Sequence, residues 1–352
     1  MDSGITTDGI TTVGVTTVGV TTVGITTDGI TTDGRSNPGW PKTGVMGSGA
    51  VGCYYGGMLA RAGAPVALVA RPRHVEAISK RGLHFQGLAF DEHIALDASS
   101  DVSAVRDAQW VLFSVKSGDT EAAARLLAPM LDPNAIVIGL QNGVDNIERI
   151  RKHLPNRVLP AVVYVAVAMA GPGHVRHTGR GDLIVGNMGK RRDFSQVELD
   201  AIAATFAKAG VPCRVSDNVE GELWLKLLMN CAYNAISALG LSQYKRMAAS
   251  AEVRDVMRTV VNEVLAVAKA SGVTMPRGDL AEAALNLAGS MPEATSSTAQ
   301  DLARGKMSEI DHLNGFVFRR GRELGVPAPA NQTLHALVRL LESATAPRPG
   351  GA

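Results

Sequence analysis

Thr43-Gly44-Val45-Met46, followed at once by Gly47-Ser48-Gly49-Ala50-Val51-Gly52, is the stretch that decides the fold. The first four residues read as a short apolar strand, and the run after Gly52 to about residue 62 reads as an amphipathic helix. Gly47-x-Gly49-x-x-Gly52 between a strand and a helix is the spacing of a dinucleotide-binding turn. Gly47 permits the tight turn, Gly49 lets a pyrophosphate approach the backbone, and Gly52 allows the helix to lie close on the sheet. The free N–H groups at the start of the following helix then supply an anion site, with Ser48, Ala50 and Val51 among the candidate cofactor-binding residues. A purely structural Gly-rich turn is the plainer alternative, and the strand-helix context argues against it.

Outward from this turn the chain alternates between strands and helices. Gly63-Ala64-Pro65 breaks the first helix, and residues 66–70 form a second apolar strand. Further strands are expected at 110–115, 135–139, 158–168 and 182–185, with helices at about 119–127 and 144–153. This pattern predicts an α/β fold, a Rossmann-type doubly wound parallel sheet with helices on both faces. From about residue 216 helical patterns dominate, at 220–238, 251–270, 277–287, 299–324 and 331–343. We therefore expect a Rossmann-type domain over 42–215 and an all-helical C-terminal domain over 216–345. The helical domain offers a surface on which a homodimer could form.

Residues 1–34 are of another kind: a Gly-Ile/Val-Thr-Thr-Val/Asp unit repeated six times from Gly4 to Asp33. A period of five fits neither helix nor alternating strand, so residues 1–41 are expected to be a low-complexity leader without a fold of their own. Residues 1–34 carry four of the 33 acidic groups and no basic one, so 35 basic groups face 29 acidic ones in the remainder. That mild excess suits a small anionic substrate or cofactor but is too weak to argue for nucleic acid. Three cysteines, Cys53, Cys213 and Cys231, without a CxxC pair or His/Cys cluster, argue against a disulfide scaffold and a Cys-based metal site. A reducing, cytoplasmic setting is the expectation, and no apolar run is long enough to span a membrane.

Several residues carry chemistry. An NAD site would place an acid at the end of the second strand to accept from the ribose 2′-hydroxyl. This chain has Ala70-Arg71-Pro72-Arg73 there. Arg71 can fork onto a 2′-phosphate, which favours NADPH/NADP, although two solvated arginines would look the same in sequence. Ser114-Val115-Lys116 and Gln141-Asn142-Gly143 fall at the carboxyl ends of two further strands, where open α/β sheets bind ligands. In the helix at 220–238, apolar on nearly every side, Lys226, Asn230 and Asn234 recur at i, i+4 and i+8 as one narrow polar stripe. Such a stripe costs desolvation unless it faces water or a ligand, so a cleft is expected in front of it. Ser296-Ser297 and Glu309-Ile310-Asp311 form a second polar group. Ser297 with Gln300 has the spacing of a helix cap, and Glu309 could be a surface acid near Arg304 and Lys306.

Together these motifs resemble the ketopantoate reductase family (2-dehydropantoate 2-reductase) over about residues 43–342. The resemblance implies an NADP-dependent oxidoreductase that reduces a small anionic 2-oxo acid, ketopantoate, to pantoate on the route to pantothenate and coenzyme A. It implies Lys226 as general acid, with Asn230 and Asn234 holding substrate and Ser297 at its carboxylate end. Glu309 would reach the cofactor and the reactive centre, and Lys116 and Asn142 would contact the cofactor. One stretch departs from the family pattern. The turn after the lysine helix, Gly240–Arg246, lacks the asparagine found there in the family; Gln243 could substitute for it or Tyr244 reshape the pocket. Another 2-oxo acid as substrate, or a nucleotide-binding protein without turnover, are the competing readings.

Overall fold

The structure is a computed structural model, and it describes residues 39–345; the repeat leader falls almost wholly outside them. Strand β1 (Thr43–Met46) is buried along its whole length, as a central strand covered on both faces must be. It leads through the glycine turn into α1 (Ala50–Arg61), β2 (Val66–Val69) and α2 (Pro72–Arg81). Next come β3 (Leu83–Gln86), β4 (Asp91–Ile94), β5 (Asp97–Ser99) and β6 (Trp110–Phe113). Then α3 (Thr120–Leu127), β7 (Ile136–Gly139) and α4 (Asn146–Arg151) complete the alternation. A long hairpin follows, β8 (Arg157–Gly171) and β9 (His174–Val185), then α5 (Gln196–Lys208) and β10 (Cys213–Val215).

The strands form one sheet in the order β4-β3-β9-β8-β7-β6-β1-β2-β5, with β10 beside β9. Pairing is parallel except at β3–β4 and β8–β9. From β1 the chain winds to β2 on one side and later to β6 and β7 on the other. The reversal therefore lies between β1 and β6, and a doubly wound sheet opens its ligand crevice at the carboxyl ends of those strands. Apolar residues of α1 and α5 cover one face of the sheet and those of α3 and α4 the other.

The C-terminal portion is helical: α6 (Val219–Leu239), α7 (Tyr244–Ala249), α8 (Ala251–Ala270), α9 (Leu280–Ser290), α10 (Ser297–Ala303), α11 (Asn314–Glu323) and α12 (Pro329–Thr345). Helix α6 is at the centre of this cluster, with Leu223, Leu227, Leu228, Cys231 and Ala235 all buried. Each such leucine contributes about 1.5–3 kcal/mol when removed from water. Val162 of β8 belongs to the same cluster, so the sheet and the helices share apolar packing there. A buried polar network ties the helices. Asn314 donates to Cys231 O (3.1 Å) and to Asn331 Oδ1 (3.0 Å), and the Glu263 carboxylate accepts from the N–H groups of Ala330 and Asn331 at the start of α12 (2.9 Å each).

Three sequence expectations are corrected here. The helix expected over 299–324 is two helices, because the chain turns at Gly305 with φ +63° and passes through a short 3-10 turn at Ile310–His312. The hairpin strand β9 begins at His174, eight residues before the expected start. Its first half, His174–Gly181, lacks an apolar run, and its pairing with β8 is irregular. Helices α2, α5 and α7 and strands β3, β4, β5 and β10 were not anticipated; α2 is strongly charged, and the strands are at most four residues long.

Candidate active site

The site begins at the glycine turn. Gly47 adopts φ +100°, and a Cβ there would lie 2.5 Å from the backbone nitrogen of Val115, so the turn is wedged against the end of β6. Ser114 Oγ locks the two together by donating to Gly47 O at 2.8 Å. A Cβ on Gly52 would meet Gly47 O at 2.4 Å. Gly49 is different: a Cβ there meets nothing within 4 Å. Protein packing therefore does not require glycine at 49, and a cradle open on that side fits the close approach of a pyrophosphate. Helix α1 begins at Ala50 with no side-chain cap and no acid in its first turn, which leaves its N-terminal field to an anion.

Arg71 stands exposed at the end of β2, immediately before α2, with Arg73 one turn-start further on and also exposed. The carboxyl end of β6 carries Lys116 and Ser117, and that of β7 carries Asn142. Gly143, at φ +92°, brings this second loop against the 3-10 turn that follows Glu309, where a Cβ would lie 3.2 Å from His312 O.

Glu309 draws these loops together. It is not a helix-surface acid: its side chain is 12% exposed and lies against the sheet. Oε1 accepts from Ser117 N (3.0 Å) and Ser117 Oγ (2.8 Å), and Oε2 accepts from Asn142 Nδ2 (3.2 Å). Lys116 Nζ is 3.8 Å from Oε2 and donates to Asp301 Oδ2 on α10 at 2.7 Å. Burial pushes the Glu309 carboxyl up, but Lys116 and the hydrogen bonds from Ser117 and Asn142 outweigh it and hold it below the usual glutamate value. Glu309 is thus a fixed anion at neutral pH. Burial alone would lower the Lys116 amine, and the neighbouring Glu309 and Asp301 raise it above the ordinary lysine value, so it stays cationic.

The polar stripe of α6 faces the same region. Lys226 donates from Nζ to the carbonyl of Val163 on β8 and lies 5.6 Å from the centre of the Tyr164 ring. Burial pulls its amine down to about 8; Glu309 opposes that shift and Arg180 adds to it. Asn230 is partly exposed. Asn234 is buried, and its Nδ2 donates to Ser297 Oγ at 3.4 Å. Ser297 does not cap α10, contrary to the sequence expectation. Ser296 does, accepting from Ala299 N (3.1 Å) while donating to Asn234 O (3.0 Å). Ser297 is left exposed at the helix start.

The structure therefore gathers Lys116, Asn142 and Glu309 into one hydrogen-bonded group. Asn234 and Ser297 form a second, and Lys226 lies within electrostatic reach of Glu309. Sequence reasoning did not single out Ser117, Tyr164 or Arg180, and it placed Asp301 in the polar run with the serine pair without giving it a role. Ser117 directly follows the strand-end lysine and Asp301 lies beside the serine pair, so position relative to known motifs was their only signal. In the departing turn, Tyr244 is buried with its ring 4.4 Å from that of Tyr233 on α6. Gln243 is the N-cap residue of α7 but makes no side-chain cap bond. Leu241 takes a left-handed φ of +46° and is 86% exposed.

A doubly wound sheet with a glycine cradle, joined to helices that present Lys226 to it, places the chain in the Rossmann-type dinucleotide-binding class. Comparison with known proteins names the group. The family model for ketopantoate reductase PanE/ApbA matches residues 43–190, and the model for its C-terminal region matches residues 218–342. The chain belongs to the ketopantoate reductase family. A 2-dehydropantoate 2-reductase of Archaeoglobus fulgidus is 32% identical over 299 residues, covering 85% of this chain and 97% of its own. A crystal structure of a PanE/ApbA family ketopantoate reductase from Ralstonia eutropha is 54% identical with a TM-score of 0.81, covering 86% of this chain and 99% of that one. D-mandelate dehydrogenase, solved with NADH and anilino(oxo)acetate, shares the fold at 22% identity and a TM-score of 0.78, covering 86% and 99%. A nicotinamide nucleotide as cofactor and a 2-oxo acid as substrate are what membership of this family implies. Among the described residues no helix is long and apolar enough to cross a membrane, and no cluster suited to a metal ion occurs.

Proposed function

We propose that this protein reduces 2-dehydropantoate to pantoate with NADPH, the step that leads toward pantothenate and coenzyme A. The observation that carries the reading is Lys226: a buried amine brought down to about 8, on the stripe with Asn230 and Asn234 and within the field of Glu309. A donor with that affinity for protons is matched to transfer at neutral pH.

The cofactor would lie with its pyrophosphate on Gly47–Gly52, its 2′-phosphate at Arg71, and its nicotinamide end near Lys116, Asn142 and Glu309. When bound, it supplies a hydride to the carbonyl carbon. Lys226 holds the carbonyl oxygen from Nζ, stabilises the negative charge that grows there, and delivers the proton that completes the hydroxyl. Its own proton is then restored from solvent. Asn230, Asn234 and Ser297 orient the substrate, and Glu309 keeps a fixed negative charge that favours the protonated lysine. We assign the dinucleotide site to residues 42–215 and the substrate-holding helices to 216–345.

Leu241 supports a second reading, in which another 2-oxo acid is preferred. The turn that holds an asparagine in the family presents an exposed leucine here. The test is a substrate panel with the full-length protein, following NADPH consumption. Turnover of 2-dehydropantoate at least as efficient as that of the other acids upholds the first reading. A strong preference for a different 2-oxo acid decides for the second, and tight NADPH binding without turnover of any acid removes both.

A further inference from the structure

Asn146, the first residue of α4, makes no hydrogen bond to Glu309, yet it is buried and both ends of its amide are bonded. Nδ2 donates to Ser117 Oγ (3.1 Å) and to the carbonyl of Asn142 (2.6 Å). Oδ1 accepts from Thr120 Oγ1 (2.9 Å) and from Arg149 Nη1 (3.2 Å). Ser117 and Asn142 stand on the loops after β6 and β7, and both donate to Glu309. One amide therefore ties together the two loops that hold the carboxylate.

The groups behind Asn146 fix the direction of these bonds. A hydroxyl has one hydrogen to give. Gln141 Nε2 donates to Thr120 Oγ1 at 2.8 Å, so Thr120 gives its own hydrogen to Asn146 Oδ1. Arg149 can only donate, and two bonds to Glu121, of 3.1 and 3.3 Å, hold its guanidinium in place. With two donors on one side, that atom of Asn146 is the oxygen, and the amide nitrogen faces Ser117. Ser117 Oγ then accepts from Asn146 and keeps its hydrogen for Glu309 Oε1 at 2.8 Å or Asn142 O at 3.2 Å. The Asn142 carbonyl already accepts from Asn146, and a carboxylate is the stronger acceptor. The hydrogen bonds thus run one way, from Gln141 through Thr120, Asn146 and Ser117 to Glu309.

A second route joins the same residues. Arg149 Nη1 lies 3.2 Å from His312 Nδ1, and His312 N donates to Glu309 O at 2.8 Å. Glu309 is held from its side chain and from its backbone, and α4 serves both.

We propose that Asn146 is the positioning residue of Glu309: its amide turns the Ser117 hydroxyl toward Oε1 and holds the Asn142 loop so that the Asn142 side chain meets Oε2. For a reductase, and so resting on the reading above, the consequence is a carboxylate kept ionised and in one place in the field of Lys226. The other charged groups around Glu309 are Lys116, from the loop after β6, and its partner Asp301, from α10.

The experiment leaves those three residues unchanged and compares wild type with Asn146→Ala, Ser117→Ala, Glu309→Ala and the double variant Asn146→Ala/Glu309→Ala. The Glu309 carboxyl is titrated by NMR in protein carrying isotope-labelled glutamate, its signal assigned by its loss in Glu309→Ala. Hydrogen bonds to the ionised form hold a carboxyl down. The Glu309 midpoint should therefore rise by about half a pH unit to one unit in both Asn146→Ala and Ser117→Ala, the equivalent of one hydrogen bond. In parallel, kcat should fall about three- to tenfold in each. In the Glu309→Ala background, adding Asn146→Ala should change kcat by less than about twofold, because the group it positions is gone. Thermal unfolding shows whether Asn146→Ala folds; if it does not, Ser117→Ala, which removes a single oxygen, carries the titration test. An unmoved Glu309 midpoint in Ser117→Ala, or in folded Asn146→Ala, overturns the proposal. So does a kcat loss from Asn146→Ala that is as large without Glu309 as with it. The titration needs no turnover, so a protein that reduces no 2-oxo acid refutes the reductase reading while the positioning of Glu309 is still decided.

Discussion

The glycine turn and the Lys226 cleft solve recognition in opposite ways. At the turn, six consecutive residues present backbone, and what matters is where side chains are missing: a Cβ at 47 meets Val115 at 2.5 Å, and one at 49 meets nothing. In the proposed cleft the candidate groups are side chains from widely separated parts of the sequence, Lys116–Ser117, Asn142, Lys226–Asn234 and Ser297–Glu309. The backbone site tolerates a change of side chain wherever space is open. The convergent site depends on charge and distance, and one substitution can remove the chemistry without moving the chain.

The largest effect is therefore expected in the cleft. Lys226→Ala should lower kcat by about 10²–10⁴-fold, the range for loss of a general acid, with NADPH affinity little changed. Single-turnover rates alongside NADPH titration measure both, and retention of wild-type kcat would remove Lys226 from the chemistry. The same lysine sets a pH dependence. Its amine is pulled down to about 8, so the proton donor is present below that pH and is lost as pH rises through it. The kcat/KM of the free enzyme should accordingly fall on the alkaline side with a midpoint near 8 rather than near the ordinary lysine value. A profile flat to pH 10 would contradict the environment described for Lys226.

Glu309→Gln is the next largest change and separates charge from shape. Glutamine can still accept from Ser117, but it ends the attraction to Lys116 and Lys226. We expect kcat to fall about tenfold, of the order of one charge-assisted interaction. The alkaline midpoint should move down, because Glu309 favours the protonated lysine. An unshifted midpoint with lowered kcat would mean that Glu309 acts only through geometry.

The two regions also differ in how far they could be read from sequence. The turn was legible because its signal is local: glycine spacing between a strand and a helix, with β1 observed at Thr43–Met46 as expected. The stripe Lys226-Asn230-Asn234 was legible for the same reason, since helical periodicity places i, i+4 and i+8 together. Arg180 was hidden because its position depends on a register shift between two strands, which the residue pattern of His174–Gly181 does not announce. The spacing of Ser297 to Gln300 points to Ser297 as the cap, yet the bond from Ala299 N goes to Ser296 Oγ, and Gln300 donates instead to Thr295 O. Glu309 was ambiguous until Ser117 and Asn142, more than 160 residues earlier in the chain, were seen to donate to it.

Within the turn, substitution of adjacent glycines by alanine should separate folding from binding. Gly47→Ala combines a φ of +100° with a backbone contact at 2.5 Å, so it should cost about 1–3 kcal/mol of stability. Gly49→Ala meets no protein atom and should leave thermal unfolding nearly unchanged, while KM for NADPH rises about tenfold as the methyl group occupies the pyrophosphate approach. Equal losses of stability in both variants would dissolve the distinction between the wedged and the open glycine.

The smallest effect is expected at Arg71, where the cofactor's outer phosphate would lie. Arg71 is exposed and precedes α2 without a side-chain hydrogen bond among the described residues, so its removal should not disturb the fold. A guanidinium facing a 2′-phosphate in solvent contributes less than a buried pair, because water and salt screen it. Arg71→Ala should raise KM for NADPH by about three- to tenfold, the equivalent of roughly 1 kcal/mol, and leave KM for NADH near its wild-type value. The ratio of the two, measured at low and at high salt, is the informative quantity. It should be larger at low salt, where the charge is least screened. Equal effects on NADPH and NADH at both salt concentrations would show that Arg71 supports α2 rather than the phosphate, and the preference for NADPH would then have to come from Arg73 or from elsewhere in the crevice.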